Sequence, residues 1–149
     1  MNKTEELKSF SKEHRHGLEL CLKIRMGITK GVSFDRIKKY SDWFYQTYLT
    51  PHFDAEEKYV YPILGMDHPM VKKMLASRRR LDKLFLGNEK PPEIALSLGE
   101  EELEQHIRFE EHQLFKKIKQ KASAQQLAEI QKSYQKQVFK ENKEDVFWK

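Results

Sequence analysis

His52-Phe53-Asp54-Ala55-Glu56 and His106-Ile107-Arg108-Phe109-Glu110 are the same pattern twice, a histidine followed four residues later by a glutamate. Both repeats lie in segments whose apolar residues recur at helical spacing, and on a helix residues four apart share one face, one turn up. Each repeat therefore offers an imidazole nitrogen and a carboxylate to one point in space. Two such helices facing each other would make a metal site, which puts both repeats on the inner faces of a helical bundle.

Working outward, glycine and proline mark where the periodic segments stop and start: Gly31, Gly65, Pro69, Gly87, Pro91 and Pro92. The reading predicts a first helix from about Thr4 to Lys30, a second from about Ser33 to Leu64, a third from Pro69 to Leu86 and a fourth from about Pro92 to Lys121. Gly17, Gly27 and Gly99 lie inside these segments and weaken them slightly. No stretch alternates like a strand. Short joins between long helices imply antiparallel neighbours, so the expected fold is all-α, an up-down-up-down four-helix bundle over residues 1–121. Leu127, Ile130, Tyr134 and Val138 mark an additional C-terminal helix. With the apolar tail Val146, Phe147 and Trp148, residues 122–149 are expected to pack on the same domain, or against a second copy of the chain as a homodimer.

Length and composition fit that frame. A chain of 149 residues is long enough to bury one core without disulfides, and its single cysteine, Cys21, has no partner for one. No apolar run approaches the roughly 20 residues that cross a bilayer, and Met1-Asn2-Lys3-Thr4-Glu5-Glu6 is no signal peptide. A cytoplasmic protein without a membrane partner is expected. The formal charge of +5 comes from 28 basic and 23 acidic residues interspersed along the chain, which describes a solvated helical surface rather than a nucleic-acid footprint.

His14 stands at nearly the same level on the first helix as His52 on the second, on the stripe Leu7, Phe10, Gly17, Cys21 and Ile24. Alone it reads as a hydrogen-bonded core histidine; beside the two repeats it reads as a third imidazole ligand. His16, His112, Glu57 and Glu111 project from other faces and suit surface roles, the two glutamates also support of the ligands. His68 before Pro69 suits a turn or cap, and Cys21 a buried apolar position. Pro51 inside the second helix implies a kink beside His52, and Tyr48 could line a small-molecule pocket. On the third helix the stripe Val71, Met74, Leu81, Phe85 keeps its period only if Arg78 fills its middle, so an arginine is expected where a ligand would be wanted.

Over roughly the first 120 residues the chain resembles the hemerythrin-like family, the HHE cation-binding domains. The matching stretches are Glu13-His14-Arg15-His16-Gly17-Leu18, His52 to Glu57 with Tyr61-Pro62-Ile63-Leu64 after it, and His106 to Glu111 with Leu114-Phe115 after it. The resemblance implies a four-helix bundle holding a non-haem di-iron site. Its metal ligands would be His14, His52, Glu56, His106 and Glu110, the two carboxylates bridging. It implies a small diatomic ligand, or an oxidative signal, met at the iron. The family also asks for a histidine on the third helix, where this chain has Ser77-Arg78. The iron site is accordingly expected to be di-iron, mononuclear or lost. The alternative is a metal-free scaffold in which Arg78 occupies the former site and pairs with Glu56 and Glu110. Weak oxidase or peroxidase activity is a third reading, less favoured than binding.

Overall fold

A computed structural model of the chain describes residues 7–134 and 137–149, and among them it is helical with no strand. Helix α1 is Lys8–Thr29 and α2 is Phe34–Phe44. From α2 the backbone continues in helical dihedrals through a π turn (Tyr45–Leu49), α3 (Thr50–Ala55), a second π turn (Glu56–Val60) and a 3-10 turn (Tyr61–Ile63), which together form one rod. Helix α4 is Pro69–Leu86, α5 is Pro92–Phe109, and a third π turn (Glu110–Leu114) joins α5 to α6 (Phe115–Lys121); α7 is Ala124–Ser133.

Local chemistry explains most of these limits. Ser33 accepts from Arg36 N–H to start α2, and Ser123 with Gln126 forms a reciprocal capping box before α7. Prolines occupy the first position of α4 and α5, where no backbone donor is missed. Gly31 and Gly65 end the first two rods at φ 74° and 96°, a conformation that costs glycine little. The sequence-predicted limits hold for the second, third and fourth helices to within a residue or two; the predicted start near Thr4 lies outside the described residues. The C-terminal helix is shorter than its apolar stripe suggested. Tyr134 leaves helical geometry, and Val138, the last member of that stripe, is exposed.

Helix α5 packs along both α1 and α4, and α2 contacts α1, α4 and α5. The apolar interior falls into two clusters. One includes Leu20, Ile24, Phe44, Tyr45, Phe85 and Leu103; the other includes Phe10, Val60, Met74, Phe115, Leu127 and Ile130. Between them on each rod sits a buried polar residue: His14 on α1, His52 and Glu56 on the second rod, Ser77 on α4, and His106 with Glu110 on the fourth rod.

The C-terminal segment closes on both clusters, since Leu127 and Ile130 of α7 join one and Phe147 joins the other. Gly27 makes the second docking feasible, because a Cβ there would meet the Phe147 ring at 2.7 Å and Ile37 at 2.8 Å. Polar ties hold the same segment: Lys30 Nζ donates to the Trp148 carbonyl at 2.8 Å, and Arg36 donates twice to Asp145.

Phe85 is fully buried and stacks on Tyr45 at 4.7 Å. Phe85→Ala should cost about 3–5 kcal/mol in urea unfolding; a loss below about 1 kcal/mol would mean that the contact between the first π turn and α4 is not the packed core described here.

Candidate metal centre

Five buried side chains meet in the polar layer. His14 comes from α1, His52 from α3 and His106 from the last turn of α5, while Glu56 and Glu110 each open a π turn. Their donor atoms form two groups, each within a 4.8 Å span: His14, His52 and Glu56, then Glu56, His106 and Glu110. Glu56 belongs to both. His52 Nε2 lies 2.9 Å from Glu56 Oε1, His106 Nε2 2.6 Å from Glu110 Oε1, and His14 Nε2 3.6 Å from Glu110 Oε2.

These approaches are close without being hydrogen bonds. The Nε2 atoms of all three histidines, both oxygens of Glu56 and Oε2 of Glu110 are buried with no partner in hydrogen-bonding geometry. An orphaned buried polar atom costs about 1–3 kcal/mol, more when charged, so six of them aimed into one small volume would be expensive if nothing joined them there. A cation is the group that satisfies imidazole nitrogens and carboxylate oxygens together.

The opposite side of each ring is satisfied, which fixes the tautomer. His14 Nδ1–H donates to Glu111 Oε1 at 2.6 Å and His52 Nδ1–H to Glu13 Oε1 at 2.7 Å. His106 Nδ1–H donates to Ser77 Oγ at 2.9 Å, whose own hydroxyl donates onward to Glu102 Oε2 at 2.8 Å. With each Nδ1 bonded outward, each Nε2 is aimed at the cluster, the arrangement in which outer partners orient metal-binding imidazoles. Tyr134 and the Gln137 N–H close around the Glu13 carboxylate, so the C-terminal segment holds the group that orients His52.

Burial drives up the pKa of Glu56, and the neighbouring charge of Glu110 raises it further. Burial also acts on Glu110, but the neighbouring Glu56 carboxyl and the His106 and His14 imidazoles outweigh it and hold Glu110 below the usual carboxylate range. Tyr61 is pushed up by burial and then by both carboxylates, and its hydroxyl donates to Glu110 Oε1 at 3.0 Å. Burial likewise acts against ionisation of Glu13 and Glu111, yet their bonds to His52 and Tyr134, and to His14 and Ser11, leave both lowered.

The structure brings all five sequence-predicted ligands together and moves Arg78 out of the place assigned to it. Arg78 pairs with Asp54 at 2.8 Å and Glu57 at 3.0 Å, with its guanidinium 5.7 Å from the Phe53 ring centre. Neither Glu56 nor Glu110 is its partner. One residue earlier, Ser77 takes the inward position, because the face of α4 that continues Met74 and Leu81 passes through 77 as readily as through 78.

The other expectations resolve individually. His68 caps α4 by accepting from Met70 N–H, His112 is exposed, and His16 stacks on Phe139. Cys21 is buried, and burial pushes its thiol up to about 12, so it remains S–H. Tyr48 bonds the Lys140 backbone. The helix absorbs Pro51 by widening into the π turn that precedes it. Sequence reasoning gave Glu13, Ser77 and Tyr61 no role at the centre. Glu13 was legible as the residue before His14, Ser77 as the neighbour of Arg78 on the same stripe, and Tyr61 as the aromatic five residues beyond Glu56 that Phe115 matches beyond Glu110.

The model of the hemerythrin HHE cation binding domain matches residues 5–118, and the chain belongs to that family, whose domains bind metal cations. Neither the curated proteins nor the solved structures give a match. Among the described residues no helix is long and apolar enough to cross a membrane.

Two outcomes follow for stability. Glu13 is ionised more readily in the fold than its ordinary value of 4.5, so what it contributes is present above that pH and is lost as pH falls through the lower folded value. Glu13→Gln should lower stability at pH 7 by about 1–3 kcal/mol and flatten the acid side of a melting-temperature profile; an unchanged profile would show that the bonds around Glu13 carry no free energy. Arg78→Ala should cost only about 1 kcal/mol, since its ion pairs reach half-exposed and exposed carboxylates.

Proposed function

We propose that this chain is a non-haem iron protein, an up-down-up-down four-helix bundle whose carboxylate-bridged pair of irons binds a diatomic ligand or registers an oxidative signal in the cytoplasm. One observation carries the reading: six unpartnered donor atoms, buried on three rods, form two groups that share Glu56. His14 and His52 would hold one ion, His106 the other, with Glu56 and Glu110 spanning both. Three imidazoles and two carboxylates form a mixed nitrogen and oxygen set that suits iron and leaves places open. When bound, the iron pair supplies redox chemistry and those open positions.

The chain's own residues prepare the site. Glu13, Glu111 and Ser77 hold the three rings with their lone pairs inward. The apolar clusters on either side keep water from the carboxylates, and a bound cation would favour the ionised form of Glu56 that burial opposes. A hollow of about 100 Å³ between α4 and α5, lined by Ser77, His106, Met74 and Arg80, reaches the outer side of the His106 ring. We include residues 122–149 in the same domain, on the support of Leu127, Ile130 and Phe147 in its core. The metal-free scaffold is disfavoured because the cation that was to lock the site, Arg78, is paired elsewhere.

Metal analysis by mass spectrometry tests this, on protein from iron-supplemented cells purified without chelators. About two irons per chain are expected, falling to about one in His106→Ala, and a folded protein without iron overturns the proposal. Glu111→Gln, which unseats His14, should weaken iron binding by about 10–100-fold. Arg78→Ala should leave the iron content unchanged.

A further inference from the structure

The two donor groups are unequal. The first has two imidazoles beside Glu56 and the second has one, because no histidine of α4 enters it. We propose that Tyr61 is a metal ligand whose phenol oxygen takes the open place on the His106 side of the centre; this rests on the two-iron reading above.

The two repeats support it by their likeness and by their one difference. Each runs histidine, four residues on a glutamate, and five beyond that an aromatic: His52, Glu56, Tyr61 and His106, Glu110, Phe115. In an unbroken α-helix a residue five positions on is rotated by about 140°. Here each glutamate opens a π turn closed by a hydrogen bond from the N–H of the residue five positions on, Tyr61 or Phe115, which turns that aromatic back towards the centre, where Tyr61 meets Glu110 and Phe115 meets His14. Phe115 then stacks on His14 at 5.3 Å, on the side where α1 already supplies an imidazole. Tyr61 sits where no further imidazole exists, and it alone of the two carries an oxygen.

Tyr61 is buried in an apolar cluster, where a phenylalanine would pack as well and leave no hydroxyl to satisfy. Its hydroxyl lies 3.0 Å from Glu110 Oε1, the same oxygen that His106 Nε2 approaches to 2.6 Å, so phenol, imidazole and carboxylate converge. Ser77 cannot serve instead, because its oxygen is spent between His106 Nδ1 and Glu102 on the outer side of the ring. On binding, the phenol O–H bond breaks, the oxygen gives its electron pair to the cation and the proton leaves to solvent; no electron is transferred.

The test loads the purified full chain with iron(II), oxidises it in air, and records visible absorption and resonance Raman spectra together with iron content. A phenolate-to-iron(III) charge-transfer band with tyrosinate ring modes is expected in the wild type and in Tyr45→Phe, whose hydroxyl bonds Asp82. Both should vanish in Tyr61→Phe, with iron falling from about two towards one per chain. Two irons in the wild type without tyrosinate modes, or modes that persist in Tyr61→Phe, would overturn the assignment and reduce Tyr61 to a hydrogen-bond donor. A wild type that takes up no iron overturns the two-iron reading, and this inference with it. Should Tyr61→Phe fail to fold, wild type grown on ring-deuterated tyrosine still decides, since the modes must shift if tyrosine is bound and must be absent if it is not.

Discussion

Two carboxyl groups, Glu56 and Glu110, lie wholly buried in the middle of an apolar bundle, and most of the rest of the structure answers to them. Burial makes their joint ionisation unfavourable, so without a cation one of them keeps a proton. Three imidazoles surround them with their Nε2 atoms turned inward and unpartnered, which adds further unsatisfied atoms rather than relieving the first ones. Stability has been spent to keep a polar centre whose members satisfy one another poorly. Such an arrangement persists where a ligand completes it.

The remaining polar architecture works outward from that centre. Each imidazole is fixed from behind by an oxygen, two of them carboxylates and the third a serine hydroxyl that passes the bond to Glu102. Glu13 is held in turn by Tyr134 and the backbone of Gln137, so the segment after α7 belongs to the support of His52 although it is remote in sequence. This network also settles what the absence of a histidine on α4 means here. Helix α4 contributes Ser77, which orients His106, while Arg78 binds the neighbouring rod from outside the cluster.

The π turns at Glu56 and Glu110 are the least expected feature and mechanically the most useful. Widening each helix by one residue where its carboxylate enters the centre changes which later side chains share that face. Proline explains two of the three turns, since Pro51 follows one closely and Pro62 another, but Lys116 stands at the matching position after Glu110. What the second and third turns have in common is their consequence, an aromatic ring brought back to the polar centre, Tyr61 against Glu110 and Phe115 against His14.

The sequence by itself determined that the chain is helical, where the second, third and fourth rods begin and end, and that His14, His52, Glu56, His106 and Glu110 belong together. Those conclusions follow from a period of 3.6 residues and from punctuation by glycine and proline, which are local properties of the chain. Only the tertiary structure decided the rest. Whether Ser77 or Arg78 faces inward is a choice between neighbouring positions on one stripe, settled by what α5 and the second rod place opposite. The reach of the C-terminal segment to Glu13, and the return of Tyr61 to the centre through a π turn, depend on contacts and hydrogen bonds that no regular period encodes.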